Sequence, residues 1–220
     1  MSETVTRKRA AKRQVILDTA LSLFAERGYQ STRMVDIAEE LGLQKAALYY
    51  YFDSKEAVLV ELIRSRVGVA LGTLNGIAAG RGPVTERIEE AVRAHLRTFH
   101  DHPDIYTVFN SEKLHTISPE AAALVDDLGR RYERLWKAMI TEGIESGLLR
   151  ADLDPPVTVK AILGMLNTTL TWFRPGGRLS VDDLTERFVD LTMTTLAPNH
   201  SVGRNRRAAV PATGDASGGG

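Results

Sequence analysis

Between Thr32 and Lys55 the chain reads TRMVDIAEELGLQKAALYYYFDSK, and its apolar spacing leaves little choice of local structure. Met34, Ile37, Ala38 and Leu41 recur at i, i+3, i+4 and i+7, one face of a helix. Gly42 breaks that helix and Leu43 starts a turn. Leu48 and Phe52 then mark the inner side of a helix predicted over Lys45 to Phe52. Two short helices across a tight turn make a helix-turn-helix, a layout whose second helix is placed to enter the DNA major groove. Upstream, Ile16, Ala20, Leu23 and Phe24 form one stripe, with Leu17 and Leu21 beside it, predicting a helix from Arg7 to Arg27. Gly28 ends it as a C-terminal cap, and Ser31 or Thr32 caps the next.

The remaining chain is also helical in period, and convincing strand alternation is missing. Asp53 or Ser54 caps a long helix over Ser54 to Ala79, and Gly80, Gly82 and Pro83 break it. Further helices are predicted over Val84 to His100, Ile105 to His115, Ser118 to Ser146, Asp154 to Phe173, and Val181 to Leu196. Ser118-Pro119 and Asp154-Pro155 are cap-then-proline starts, since proline at the first turn forfeits no hydrogen bond. Arg174-Pro175-Gly176-Gly177 must turn. The expected fold is all-α, with nine helices, three in a head and six in a body. Its expected divisions are a disordered arm at 1–6, a helix-turn-helix domain at 7–53, a ligand-binding and dimerisation body at 54–197, and a disordered tail at 198–220.

Composition excludes several classes. Cysteine is absent, which removes disulfides and thiolate metal sites and fits a reducing cytoplasm. No apolar run approaches the ~18 residues of a membrane span, and the basic start has no apolar stretch of a secretory signal behind it. Lys plus Arg and Asp plus Glu both number 28, so the chain is neutral. Arg7, Lys8, Arg9, Lys12 and Arg13 cluster nonetheless, as do Arg204, Arg206 and Arg207. A neutral protein with a basic arm suits local DNA contact better than whole-surface attraction; a solvated terminus is the plainer reading. No nucleophile–base pair, glycine-rich phosphate loop or metal motif stands out, so neither catalysis, cofactor nor metal is expected. His95, His100, His102 and His115 do not form a tight ligating set.

In a helix-turn-helix the start of the second helix faces phosphate and the start of the third faces base edges. Thr32 and Arg33 occupy the first position; Arg33 is either a phosphate or guanine contact or a solvated first-turn residue. Gln44, Lys45, Ala46 and Ala47 open the recognition helix, Lys45 being the leading contact; the alanines admit close approach or simply favour helix. Tyr49, Tyr50 and Tyr51 point about 100° apart. At least one is therefore exposed and able to donate to phosphate, with Tyr51 assigned to the core edge. Lys55 sits against the positive end of the next helix, where an anion would hold it.

The phrases ILDTALSLFAERGY and TRMVDIAEELGLQKAALYYYFDSKEAVL resemble the DNA-binding domain of TetR-family transcriptional regulators. The resemblance implies a homodimeric repressor on a palindromic double-stranded operator, released by a small-molecule effector. It places Tyr49 and Lys55 on phosphate and Thr32, Arg33, Gln44, Lys45 and Ala47 at DNA. Ala47 stands where a hydroxyl residue is common, and Tyr51 where histidine is frequent. The last two long helices would pair across the dimer axis. WKAMITEGIESGLLRADLD and TLTWFRPGGRLS further resemble a subgroup that answers to acyl-CoA thioesters of fatty-acid and steroid degradation. On that resemblance Trp172, Phe173 and Arg174 line a pocket, unless they form a structural turn. Tyr106, Phe109, Asn110, Trp136, Met165 and Thr169 are further pocket candidates, and equally core residues. Alternatives are a transporter-gene repressor answering to a drug-like ligand, and a helical CoA-thioester enzyme.

Overall fold

The computed structural model describes residues 3–101, 118–174 and 176–198, in eight helices among the described residues. They are α1 (Glu3–Arg27), α2 (Met34–Glu40), α3 (Lys45–Tyr49), α4 (Lys55–Ala78), α5 (Val84–Asp101), α6 (Pro119–Glu145), α7 (Pro155–Trp172) and α8 (Val181–Leu196). The helix expected over Ile105 to His115 and the tail at 199–220 lie outside the described residues.

Local chemistry sets most boundaries. Ser54, Ser118, Asp154 and Ser180 cap α4, α6, α7 and α8, each accepting from a backbone N–H three residues on. Such caps satisfy donors that no helical carbonyl can reach. Gly28 and Gly42, with φ of +82° and +62°, make the left-handed turns that close α1 and α2.

Three boundaries differ from expectation. First, α1 begins at Glu3, inside the arm read as disordered at 1–6. No breaker separates residues 3–6 from the helix-forming run after them. Second, the residue capping α2 is Arg33, not Ser31 or Thr32. Asp36 accepts from the Arg33 backbone N–H at 2.7 Å, while the Thr32 hydroxyl donates to Gly28 O at 2.9 Å. Third, α3 stops at Tyr49; a tighter last turn, Tyr51 N–H to Leu48 O, carries the chain to Phe52.

Two apolar cores position everything else. The first gathers Ile16, Leu23 and Phe24 of α1, Ile37 of α2, Leu48 of α3 and Leu59 of α4. Ala121, Ala122 and Leu128 from the start of α6 belong to it too. The second joins Leu74, Ile88, Leu96, Trp136, Ile140, Ile162, Leu166 and Leu196. Helices α4 and α6 run through both, so the head rests on the same rods that wall the body. Each fully buried Leu or Ile there contributes about 1.5–3 kcal/mol.

Candidate nucleic-acid interface and effector body

The start of α3 is open. Gln44, Lys45 and Ala46 are exposed and Ala47 is half-buried, while Leu48 anchors the helix from beneath. Tyr49 and Tyr50 are exposed, with Lys45 Nζ 5.7 Å from the Tyr49 ring centre. The Arg9 guanidinium of α1 lies 5.2 Å over the Tyr50 ring. These side chains form one surface of cations and phenols, matching the chemistry of phosphate and base-edge contact. Tyr51 packs half-buried against the head core, as expected.

Other residues read as DNA contacts have internal work. Arg13 donates to Tyr51 O at 2.7 Å and lies 4.2 Å over the Phe52 ring, so it caps the end of α3 from α1. Thr32 is fully buried, its hydroxyl turned to backbone carbonyls. Arg33 remains exposed, gripping Asp36 at 2.7 Å. That hydrogen-bonded pairing raises the Arg33 pKa and lowers the Asp36 pKa. The contact is two-pronged, from Arg33 Nε and Nη2 to a carboxylate whose side chain is largely covered, so it fixes the guanidinium at the start of α2.

Lys55, read as a phosphate contact, is engaged within the head in the absence of DNA. Its Nζ donates to Tyr29 O at 2.6 Å and Thr32 O at 2.7 Å, with Gln30 O at 3.4 Å. It also sits 4.2 Å over the Tyr29 ring. An ammonium has three N–H donors, and carbonyls take them all where an anion was expected. The Gly28 turn aims those carbonyls at the start of α4. Burial lowers the Lys55 pKa and pushes the Tyr29 phenol up to about 12. Lys55→Met is expected to destabilise the protein by about 1–3 kcal/mol, because it orphans those carbonyls. Thermal melting checks this; unchanged melting with weaker DNA binding would return Lys55 to the phosphate role.

In the body, the expected pocket residues divide. Trp136 is fully buried in the second core, and Met165 packs half-buried against it. Thr169 is buried, donating to Leu166 O at 2.7 Å and lying 3.2 Å from His100 Nε2. Phe173 points inward, its ring 5.0 Å from His100. Trp172 points outward, half-exposed, and stacks on Phe188 at 6.4 Å. Exposed Arg174 turns back on Thr171 O and Phe173 O. Trp172 and Arg174 therefore do not join Phe173 in one wall. Tyr106, Phe109 and Asn110 lie outside the described residues.

The interior polar chain was missed by sequence reasoning. Tyr132 Oη of α6 meets His95 Nδ1 at 3.1 Å, and His95 Nε2 meets Asn167 Oδ1 of α7 at 3.1 Å. An amide oxygen only accepts, so Nε2 carries the proton and Nδ1 accepts from the phenol, the neutral imidazole. Burial lowers the His95 pKa to about 4 and raises the Tyr132 pKa to about 12. The signal was present in α5: Ile88, Ala91, Val92, His95 and Leu96 share one apolar face.

Residues 16–62 match the family described as bacterial regulatory proteins, tetR family, and residues 81–196 match the tetracyclin repressor-like C-terminal domain. The HTH-type transcriptional repressor KstR2 of Rhodococcus jostii (strain RHA1) is 26% identical over 196 residues, spanning 89% of this chain and 96% of that protein. The crystal structure of a TetR/AcrR-family transcriptional regulator from Thermobifida fusca is similar with a TM-score of 0.69 and 37% identity, covering 83% of this chain and 97% of that one. AibR, solved in complex with isovaleryl coenzyme A and operator DNA, shares the fold with a TM-score of 0.70 and 24% identity, over 84% of this chain and 97% of its own.

Proposed function

This chain belongs to the tetR family of bacterial regulatory proteins, and from that premise we propose a homodimeric transcriptional repressor that a CoA thioester lifts from a palindromic operator. The observation that carries the reading is the open face of α3, with Gln44, Lys45, Ala46, Tyr49 and Tyr50 presented to solvent on a head anchored by Leu48. A likeness to a named repressor along nearly the full length supports it.

In this reading Lys45 and Gln44 approach base edges, and Tyr49, Tyr50 and Arg33 hold phosphates. Arg9 extends the contact along α1. The effector acts in the body, near the inward residues Thr169 and Phe173. It releases DNA only if it favours the body state whose two heads are wrongly spaced. The α4 and α6 rods carry that difference, because both cores share them. The thioester class is supported by the WFRPGGRLS phrase and by a neighbour of the same fold that holds isovaleryl coenzyme A.

The test is fluorescence anisotropy on duplexes from the promoter of the chain's own gene. Tight binding is expected at one palindrome, released by at least one acyl-CoA from a chain-length series and not by the matching free acid. Binding that ignores the whole series would remove the effector class while leaving the DNA-binding assignment intact.

A further inference from the structure

A groove of about 510 Å³ runs between α4 and α6, on the outside of the body. Arg64, Arg131 and Arg134 line it, with Gly68 and Gly72 on its floor and Leu128 among its apolar walls. No lining residue is acidic. In a chain whose charges cancel, three arginines lining one concavity against two nearby carboxylates, Glu61 and Asp127, leave a local excess of positive charge.

The floor is open by construction. A Cβ on Gly68 or Gly72 would meet no atom within 4 Å. Glycine there costs helix stability relative to alanine, and no packing contact or left-handed backbone in the structure requires it. What the two glycines provide is depth between the arginines.

The arginines are free to act. Arg64 pairs with half-buried Glu61 at 3.7 Å, a carboxylate that Arg13 shares, and Arg131 pairs with exposed Asp127 at 3.9 Å, each on its own helix. Such pairs are worth little and re-form readily. Arg134 is exposed and makes no ion pair among the described residues. Arginine forks match phosphate oxygens two at a time. The size falls within the usual range of small-molecule sites, about 300–1,000 Å³.

We propose that this groove binds the phosphates of the coenzyme A portion of the effector. The proposal rests on the thioester reading above and gives it an address. The apolar walls beside the arginines suit the pantetheine arm, which is uncharged. Arg131 of the groove and Tyr132 of the interior polar chain are consecutive on α6.

Unacylated coenzyme A tests the address without the acyl group. Calorimetry on the full chain is expected to show binding that inorganic pyrophosphate competes for and laurate, an anion without phosphate, does not. Arg131→Gln with Arg134→Gln is expected to weaken that binding about 100-fold, roughly tenfold for each guanidinium–phosphate pairing removed. Gly72→Leu fills the floor and improves helix propensity, so it should abolish coenzyme A binding without lowering the melting temperature. Operator affinity without ligand should be unchanged in both variants. Coenzyme A that does not bind the wild-type chain, or binds the variants equally, overturns the groove. Equal competition by laurate overturns the phosphate assignment, and loss of ligand-free operator affinity moves these arginines to DNA. If an acyl-CoA still releases DNA from the variants at unchanged concentration, the groove fails while the thioester reading stands.

Discussion

Leu191→Asp is expected to give a folded monomer whose operator affinity is at least ~100-fold weaker than that of the native chain. Leu191 is 48% exposed on α8, and Val157 and Trp172 on α7 are 65% and 51% exposed. Phe188, one turn before Leu191, stacks on Trp172. Exposed apolar side chains on α7 and α8, joined by the Trp172–Phe188 stack, mark a surface that a partner covers, and a second copy is the partner a palindrome demands. A carboxylate at its centre would be buried without a counter-charge on pairing. It would also join Asp182, Asp183, Glu186 and Asp190 on the same helix. One head then contacts one half-site, and the second no longer binds as an intramolecular event. Sedimentation and anisotropy on one sample check both halves. A dimeric variant with native affinity would place the interface elsewhere.

Acid is expected to unfold this protein early, through His95. In the folded state its pKa is lowered to about 4 by burial, against an ordinary value of 6.5. The unfolded chain therefore takes up the proton first as pH falls. The stability that goes with neutral His95 is fully present above pH 6.5 and is lost progressively down to about pH 4. The shift corresponds to about 3 kcal/mol over that window. Tyr132 and Asn167 face the two ring nitrogens, and nearby His100 disfavours a second positive charge. Asp36, Asp183 and Glu186 have lowered pKa values, so their contribution is lost at lower pH than that of ordinary carboxylates. Urea unfolding between about pH 7.5 and 4.5 gives the slope, and NMR gives the His95 charge. A protonated His95 in folded protein at about pH 6 would contradict the buried neutral tautomer.

What could be read from sequence and what could not follow a physical line. Caps are local chemistry, so Ser118-Pro119 and Asp154-Pro155 were legible, the start of α4 was narrowed to Asp53 or Ser54, and α8 was placed at Val181–Leu196 from its apolar period. Periodicity likewise sorted Leu48 and Phe52 inward and required at least one tyrosine outside, where Tyr49 and Tyr50 lie. The internal partners of Lys55 and Arg13 were not legible, because a cation in sequence does not show which carbonyl the fold brings to it. Lys55 donates to a backbone carbonyl 26 residues away and Arg13 to one 38 residues away, beside its ion pair with Glu61, and only the fold brings these together. His95 and Asn167 are 72 residues apart and show the same limit. Trp172 and Phe173 were grouped by adjacency, yet neighbouring residues at a helix end face different ways. One stacks outside and the other packs inside.

The central claim is that one ligand and one operator pull the same two-state molecule in opposite directions. Such coupling is reciprocal. The direct measurement is the Kd of the releasing acyl-CoA for the free protein and for the protein saturated with operator. The account predicts that operator weakens thioester binding by the same factor by which the thioester weakens operator binding. Equal thioester affinity with and without operator would contradict it.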